Sequence, residues 1–340
     1  MSAASLAIRE ALTRLLARQD LTRLQMTQAM EALLSGEASP AQLGAFAAAL
    51  RLKGETDDEL TAAAEAVRAR AVRLSPAVPR LLDVCGTGGD GARSLNVSTA
   101  AAFVLAAVGV PVAKSVHRAV SSRCGSAEVL SQLGVALERP PEAVARDVEL
   151  HGLGLLHGPT FHPALRNVLG QRHELGFASV FNLVLPLLNA AGAREHLVGC
   201  HDERQLEQLA RVLGRLGSTR AWVVRGRDGL DEVSPCGPTD VAALTPDGQV
   251  RFFTLTPEEA GLTSLRPGAL EGGSPADNAS RVRALLAGEE SPLRTAVLLT
   301  CAAALLLTER APTLEVGAAL AARALDSGAA MAKLAALAPG

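Results

Sequence analysis

The string Gly86-Thr87-Gly88-Gly89-Asp90-Gly91 follows directly on the apolar run Leu81-Leu82-Asp83-Val84-Cys85. A buried strand that runs into four glycines out of six residues carries a large entropic cost, and glycine there lets backbone N–H groups approach an anion with no Cβ in the way. A polar linker, residues 92–96, then leads through Val97-Ser98-Thr99 into an apolar helix over 100–108. Hydroxyls and unpaired amides therefore meet at a helix amino terminus, which predicts an anion site.

The next strand, predicted over 110–113, ends on Lys114, and a polar loop over 115–126 precedes a helix at 127–133. It adds Lys114, Arg118, Ser121, Ser122, Arg123 and Ser126, groups suited to several phosphate oxygens. Two strand-to-helix loops side by side are the arrangement of ligand sites at the carboxyl ends of parallel strands. The glycine string also satisfies G-x-G-x-x-G, the dinucleotide pattern. In that fold, however, the helix begins inside the motif and the second strand ends on an acid rather than on Lys114, so a nicotinamide enzyme ranks second. The signature G-x-x-x-x-G-K-[ST] is absent.

Upstream, apolar residues recur at helical spacing over 5–73, interrupted at Gly36 with Ser39-Pro40 and at Gly54 with Thr56-Asp57. These are helix stop and start signals and predict about four helices. Beyond the proline-bearing linker 75–79, short apolar runs alternate with helices, with strands expected at 81–84, 110–113, 197–199 and 221–224. A long helical stretch over 163–188, broken near Gly176, is expected to rejoin the amino-terminal module. The predicted organisation is α/β: a small all-helical domain, residues 1–74 with helices from 163–190, and a larger α/β domain with a mainly parallel sheet, residues 79–340. The helical module either caps the rest of the chain or pairs with a second copy.

Of the 340 residues 48% are hydrophobic, yet only 2% are aromatic and tyrosine is absent, so the core must be built from Ala, Leu and Val. The formal charge of −2, with both signs interspersed, gives no field for nucleic acid or a membrane surface and favours a small-molecule partner. Cys85, Cys124, Cys200, Cys236 and Cys301 lack zinc-site spacing and read as reduced core thiols. The longest apolar stretch, 296–307, is short for a bilayer span, and no basic segment followed by an apolar run opens the chain, so a cytoplasmic location is expected.

The two loops resemble those of the anthranilate phosphoribosyltransferase family, whose hallmarks are D-x-x-G-T-G-G-D, an N-x-S-T helix start and K-H-G-N-R-x-x-S-S-x-x-G-S-A-[DE]. Further support comes from Leu50-Arg51-Leu52-Lys53-Gly54-Glu55-Thr56, Phe161-His162-Pro163-Ala164, Val180-Phe181-Asn182 and Asp228-Gly229-Leu230-Asp231-Glu232. The resemblance implies a nucleoside phosphorylase/phosphoribosyltransferase-like fold, a homodimer formed through the helical domain, and transfer from 5-phosphoribosyl 1-diphosphate to anthranilate in tryptophan biosynthesis. It assigns the sugar diphosphate to Gly86, Gly89, Asp90, Ser94, Asn96, Val97, Ser98, Thr99, Lys114, Ser115, Val116, His117, Arg118, Ala119, Val120, Ser121, Ser122 and Ser126. It assigns anthranilate to Gly86, His117 and Arg172, and two Mg²⁺ ions to Ser98, Asp231 and Glu232. Hard oxygen ligands suit Mg²⁺, which bridges diphosphate oxygens and keeps several waters. No nucleophilic side chain is implied, since positioning and charge stabilisation carry such a displacement, with Lys114 assisting.

Departures from the family pattern cluster on the acceptor side. Lys114-Ser115-Val116-His117-Arg118 stands in place of K-H-G-N-R, Ala178-Ser179 replaces Arg-Thr, and Leu185-Pro186-Leu187-Leu188-Asn189-Ala190 replaces G-P-L-x-N-P. Val116 in place of glycine predicts an altered loop. Two alternatives stay open on these substitutions: a phosphoribosyltransferase with another aromatic acceptor, and a non-catalytic relative that binds a ligand or nucleic acid.

Overall fold

Four helices open the chain: α1 (Ala3–Leu16), α2 (Arg23–Leu34), α3 (Pro40–Lys53) and α4 (Asp57–Ala69). Thr22, Ser39 and Thr56 each accept the N–H of the residue three further on, and Gln25, Gln42 and Glu59 reach back to the cap N–H. These reciprocal caps satisfy two orphan donors apiece, so the turns read as start signals are the starts observed. The computed structural model describes residues 3–88, 91, 94–118 and 124–338, apart from the side chains of Ala3, Ala4, Arg172 and His173.

The chain then alternates: β1 (Leu82–Gly86), α5 (Val97–Val108), β2 (Val112–Val116), α6 (Ser126–Gln132), α7 (Pro141–His151), β3 (Leu153–His157) and the single turn α8 (Gly158–Phe161). Short helices α9 (Arg166–Glu174) and α10 (Val180–Val184) follow. Next come β4 (Glu195–Gly199), α11 (Arg204–Arg215), β5 (Arg220–Gly226), β6 (Thr239–Leu244) and β7 (Val250–Leu255). The last helices are α12 (Pro275–Leu286), α13 (Pro292–Leu307), α14 (Leu314–Asp326) and α15 (Ala329–Leu337). All seven strands form one sheet in the order β3-β2-β1-β4-β5-β6-β7. The first five are mutually parallel, and β6 and β7 add as antiparallel neighbours.

The sequence expectation misplaces β2. Val110 donates its N–H to Leu105 O to close α5 over the left-handed Gly109, and Pro111 has no N–H to give. Pairing therefore starts at Val112 and runs through Lys114 and Ser115 to Val116. Strands β3, β6 and β7 have no counterpart among the expected strands. The first carries Gly154, the second is largely Thr, Asp and Ala, and the third is an exposed edge with Phe252 and Phe253 outward.

Alternating side chains feed two faces of the sheet. Leu82, Val84, Val112, Val116, Leu197 and Val224 pack against α5, α13, α14 and α15. Because Ala100, Ala101 and Ala102 are fully buried, α13 approaches closely enough for Cys301 Sγ to reach Ala101 O at 3.7 Å. On the other face Cys85, Val198, Ala221 and Val223 continue through α11 into the apolar interior of α1–α4, α9 and α10. Asn167 Nδ2 donates to Leu34 O at 2.7 Å, and Leu175 packs 3.7 Å from the Cβ position of Gly44, so the helices within 163–190 do lie against the amino-terminal four. No helix among the described residues is long and apolar enough to cross a membrane.

Candidate active site

The chain leaves β1 for β2 and β3 on one side and returns to β4 and β5 on the other. The crevice at the carboxyl ends of β1 and β4 is therefore the point where the winding reverses, the usual place for a ligand. Three segments meet there: the glycine loop after β1, residues 200–204 after β4, and the turn between β5 and β6 that carries Asp231 and Glu232.

Asp231 is buried against the strand ends, and two glycines make its room. A Cβ on Gly199 would lie 1.6 Å from Asp231 O, and one on Gly86 2.6 Å from Asp231 Oδ2. Gly88, at φ +65, turns its N–H to Asp231 Oδ2 at 2.6 Å, while Gly88 O lies 3.1 Å from His201 Nδ1. Glu232 follows in chain and is half-buried.

Lys114 lies inside β2 and not at its end, and only 2% of it is exposed. Its ammonium crosses to β1, donating to Val84 O at 2.7 Å and to Ser98 Oγ at 3.2 Å, and it makes no ion pair among the described residues. An ammonium taken out of water without a counter-charge is costly. Beside it, α5 begins without a side-chain cap: Asn96 Oδ1 instead accepts from Asn278 Nδ2 at 3.1 Å. Among the described residues no side chain caps this end, so the first-turn N–H groups at Ser98 and Thr99 are candidates to meet an anion in the crevice. Val97 and Thr99 are buried, and Ser94 and Leu95 are pinned by pairing with Glu271 and Leu270.

Ser115 and Val116 do not lie in a polar loop. Val116 is fully buried in the α5-side core, and so the β-branched side chain expected to distort a loop simply completes a strand. Ser115 turns to the opposite face, where its N–H and Oγ reach Asp83 at 3.2 and 2.9 Å. Asn189 Nδ2 also donates to Asp83 at 2.9 Å and to Ala113 O at 2.7 Å, and Asn189 Oδ1 accepts from the N–H groups of Ala191 and Ala193. The buried carboxylate thus ties β1, β2 and the 189–193 loop together. No composition or spacing signal points to this network.

His117 begins the loop, its N–H and C=O both held by Ser126 Oγ at 3.1 and 3.2 Å, and Arg118 is exposed. Gly89, Asp90, Ala119, Val120, Ser121, Ser122 and Arg123 lie outside the described residues, as does the side chain of Arg172. Ser179, at one departure, caps α10 by donating its N–H to Asn182 Oδ1 at 3.0 Å. His162, given no role by the sequence, is 6% exposed, with no partner at Nδ1 among the described residues; burial lowers it to about 4, so it is neutral. Burial also pushes Cys85 well up and Cys200 up to about 12, which makes both inert thiols rather than nucleophiles.

The family described as glycosyl transferase, helical bundle domain, matches residues 9–71, and its a/b domain matches 78–331. Anthranilate phosphoribosyltransferase of Myxococcus xanthus (strain DK1622) is 57% identical over 335 residues, 98% of this chain and 99% of that protein. The chain belongs to the anthranilate phosphoribosyltransferase family. Another anthranilate phosphoribosyltransferase, from Moorella thermoacetica, is 47% identical over 330 residues, 97% of each chain. The crystal structure of anthranilate phosphoribosyltransferase from Thermus thermophilus superposes with a TM-score of 0.90 at 42% identity, covering 98% of both chains. The enzyme from Saccharomyces cerevisiae in complex with PRPP and Mg gives 0.90 at 25% identity, covering 99% of this chain and 98% of that one. The small helical and larger α/β parts, with a mainly parallel sheet, are those of the anthranilate phosphoribosyltransferase family.

Proposed function

We propose that this chain transfers the 5-phosphoribosyl group from 5-phosphoribosyl 1-diphosphate to anthranilate, releasing diphosphate, as a cytoplasmic step of tryptophan biosynthesis. The observation that carries the reading is Lys114, a buried ammonium with no acid partner among the described residues, set beside the uncapped start of α5 and the glycine loop. All three supply positive character at one crevice, where a diphosphate needs it.

The residues at the crevice fit Mg²⁺. Asp231, Glu232 and Ser98 offer hard oxygens, while no group of three or more His, Cys, Asp or Glu able to hold a metal occurs among the described residues. Such a sparse set suits an ion that completes its shell with water and ligand oxygens. We assign two ions per subunit. Held by Ser98, Asp231 and Glu232, Mg²⁺ would supply positive charge for the leaving diphosphate. Lys114 and the α5 amides hold the same oxygens, while Gly86 leaves space at the end of β1 and His117 and Arg172 orient the acceptor carboxylate. As the bond from ribose C1 to the diphosphate oxygen breaks, the anthranilate nitrogen bonds to C1 and later loses its proton. Positioning and charge stabilisation suffice for this displacement.

We further assign residues 1–74, with helices from 163–190, to a domain distinct from 79–340, and dimerisation to its surface. Leu6, Leu16, Leu24 and Leu52 are 48%, 76%, 66% and 77% exposed there, which supports an apolar contact. Loss of anthranilate fluorescence on incubation with both substrates and Mg²⁺ tests the reaction, and no loss at high enzyme concentration overturns it. A different aromatic acceptor is the second reading, favoured by His117 in place of the family asparagine; anthranilate emerging as best in a screen of aromatic amines and nucleobases rejects it.

A further inference from the structure

Gly158 stands where β3 passes into α8, and its missing side chain is used by a residue from the neighbouring strand. A Cβ built there would lie 2.7 Å from His117 Nδ1 and 3.1 Å from His117 Cε1. Its next contact, Val116 O at 3.5 Å, is an ordinary one. The backbone of Gly158 does not lie in the left-handed region, so glycine serves here for space and not for conformation.

The main chain of His117 has little freedom to move away. Its N–H donates to Ser126 Oγ, its carbonyl accepts from Ser126 Oγ and from Ala127 N–H at 3.2 Å, and the preceding Val116 pairs with His157 in β3. A methyl group at 158 therefore displaces the imidazole, which turns on two rotatable bonds, and leaves both strands in place. His117 and Gly158 are a large-and-small pair filling one volume.

We propose that Gly158 is a positioning residue for acceptor recognition: it seats the His117 imidazole against the β3–α8 corner, and that seat sets the edge which the acceptor's carboxylate meets. This rests on the reaction proposed above and adds a second residue, distant in sequence, that determines acceptor fit.

The test is a cycle of Gly158→Ala, His117→Asn and the double variant, read by steady-state kinetics and by imidazole cross-peaks in NMR. Gly158→Ala should raise KM for anthranilate about 10-fold, the scale of one misplaced charge-assisted hydrogen bond, with KM for the sugar diphosphate within about twofold. The His117 cross-peak, identified by its loss in His117→Asn, should shift. In the double variant, KM for anthranilate should equal that of His117→Asn alone, since asparagine leaves room for the methyl group. An unmoved cross-peak, an unchanged KM for anthranilate, or independent effects in the double variant overturns the proposal. Failure of the unsubstituted enzyme to use anthranilate instead overturns the proposed acceptor, and the same KM ratios are then read with the aromatic amine it does use.

Discussion

The crevice has two halves built by different means. Around the proposed diphosphate site, backbone geometry and a single ammonium dominate: Gly86 and Gly199 admit Asp231, Gly88 turns its N–H to it, α5 begins uncapped and Lys114 lies buried with no acid partner among the described residues. Beside it, at the β3–α8 corner and on the other face of β2, side chains fill buried volumes, as with His117 over Gly158 and Ser115 with Asn189 around Asp83. A backbone cradle tolerates few residue types, because any Cβ in it collides. A packed side-chain volume tolerates exchange when its partner changes too.

Removing the charge that organises the first half should produce the largest effect. Lys114→Met should lower kcat/KM for the sugar diphosphate by roughly 10²- to 10³-fold, the cost of a lost electrostatic donor of about 3–4 kcal/mol. Thermal unfolding without ligand should show little loss or a gain, since an apolar side chain replaces a lone buried charge. A variant that loses stability as much as activity would make Lys114 a structural residue and break the comparison. Gly199→Ala comes next: with 1.6 Å to Asp231 O the β5–β6 turn must shift, costing about 3 kcal/mol by denaturant unfolding and raising the Mg²⁺ concentration for half-maximal rate more than about 10-fold.

Acid should loosen the side-chain half. Burial holds His162 and His196 at about 4, and His196 Nε2 lies 3.0 Å from Ala193 O in the loop braced by Asn189. Unfolded histidines take protons from about pH 6.5, so between 6.5 and 4 the unfolded chain binds more protons and stability falls as pH falls. At pH 5 the loss should be about 2 kcal/mol per histidine, read from urea unfolding at pH 7, 6 and 5. A flat profile over that window would remove the distinction.

Much of the backbone half is legible in sequence, because glycines after a strand and hydroxyls at a helix start are local signals. The helical module is legible through Ser39 and Thr56, whose caps close within three residues, while the equivalent cap at Thr22 goes unread. What escapes depends on distant partners. Lys114 reads as the end of a strand until Val110 is seen to serve the α5 cap. Ser115 reads as a loop hydroxyl until Asp83 and Asn189 are seen to meet it, and Gly158 carries no signal until His117 is seen to lie over it. The antiparallel strands β6 and β7 escape because Thr239-Asp240 and Phe252-Phe253 give no clean burial alternation.

The smallest expected effect tests where the boundary between the halves runs. Ser115 is next in chain to Lys114 yet points to the opposite face, so the two substitutions should have unrelated signatures. In Ser115→Ala, Asp83 keeps the Ser115 N–H at 3.2 Å and Asn189 Nδ2 at 2.9 Å and loses only the hydroxyl. One charge-assisted hydrogen bond out of three sets the cost at about 1–2 kcal/mol by urea unfolding, because the carboxylate stays partly satisfied. KM for the sugar diphosphate should change by less than about twofold. A rise like that of Lys114→Met would mean that the Asp83 network holds the ammonium in place, and the division would then run between β2 and β3 and not between the two faces of β2.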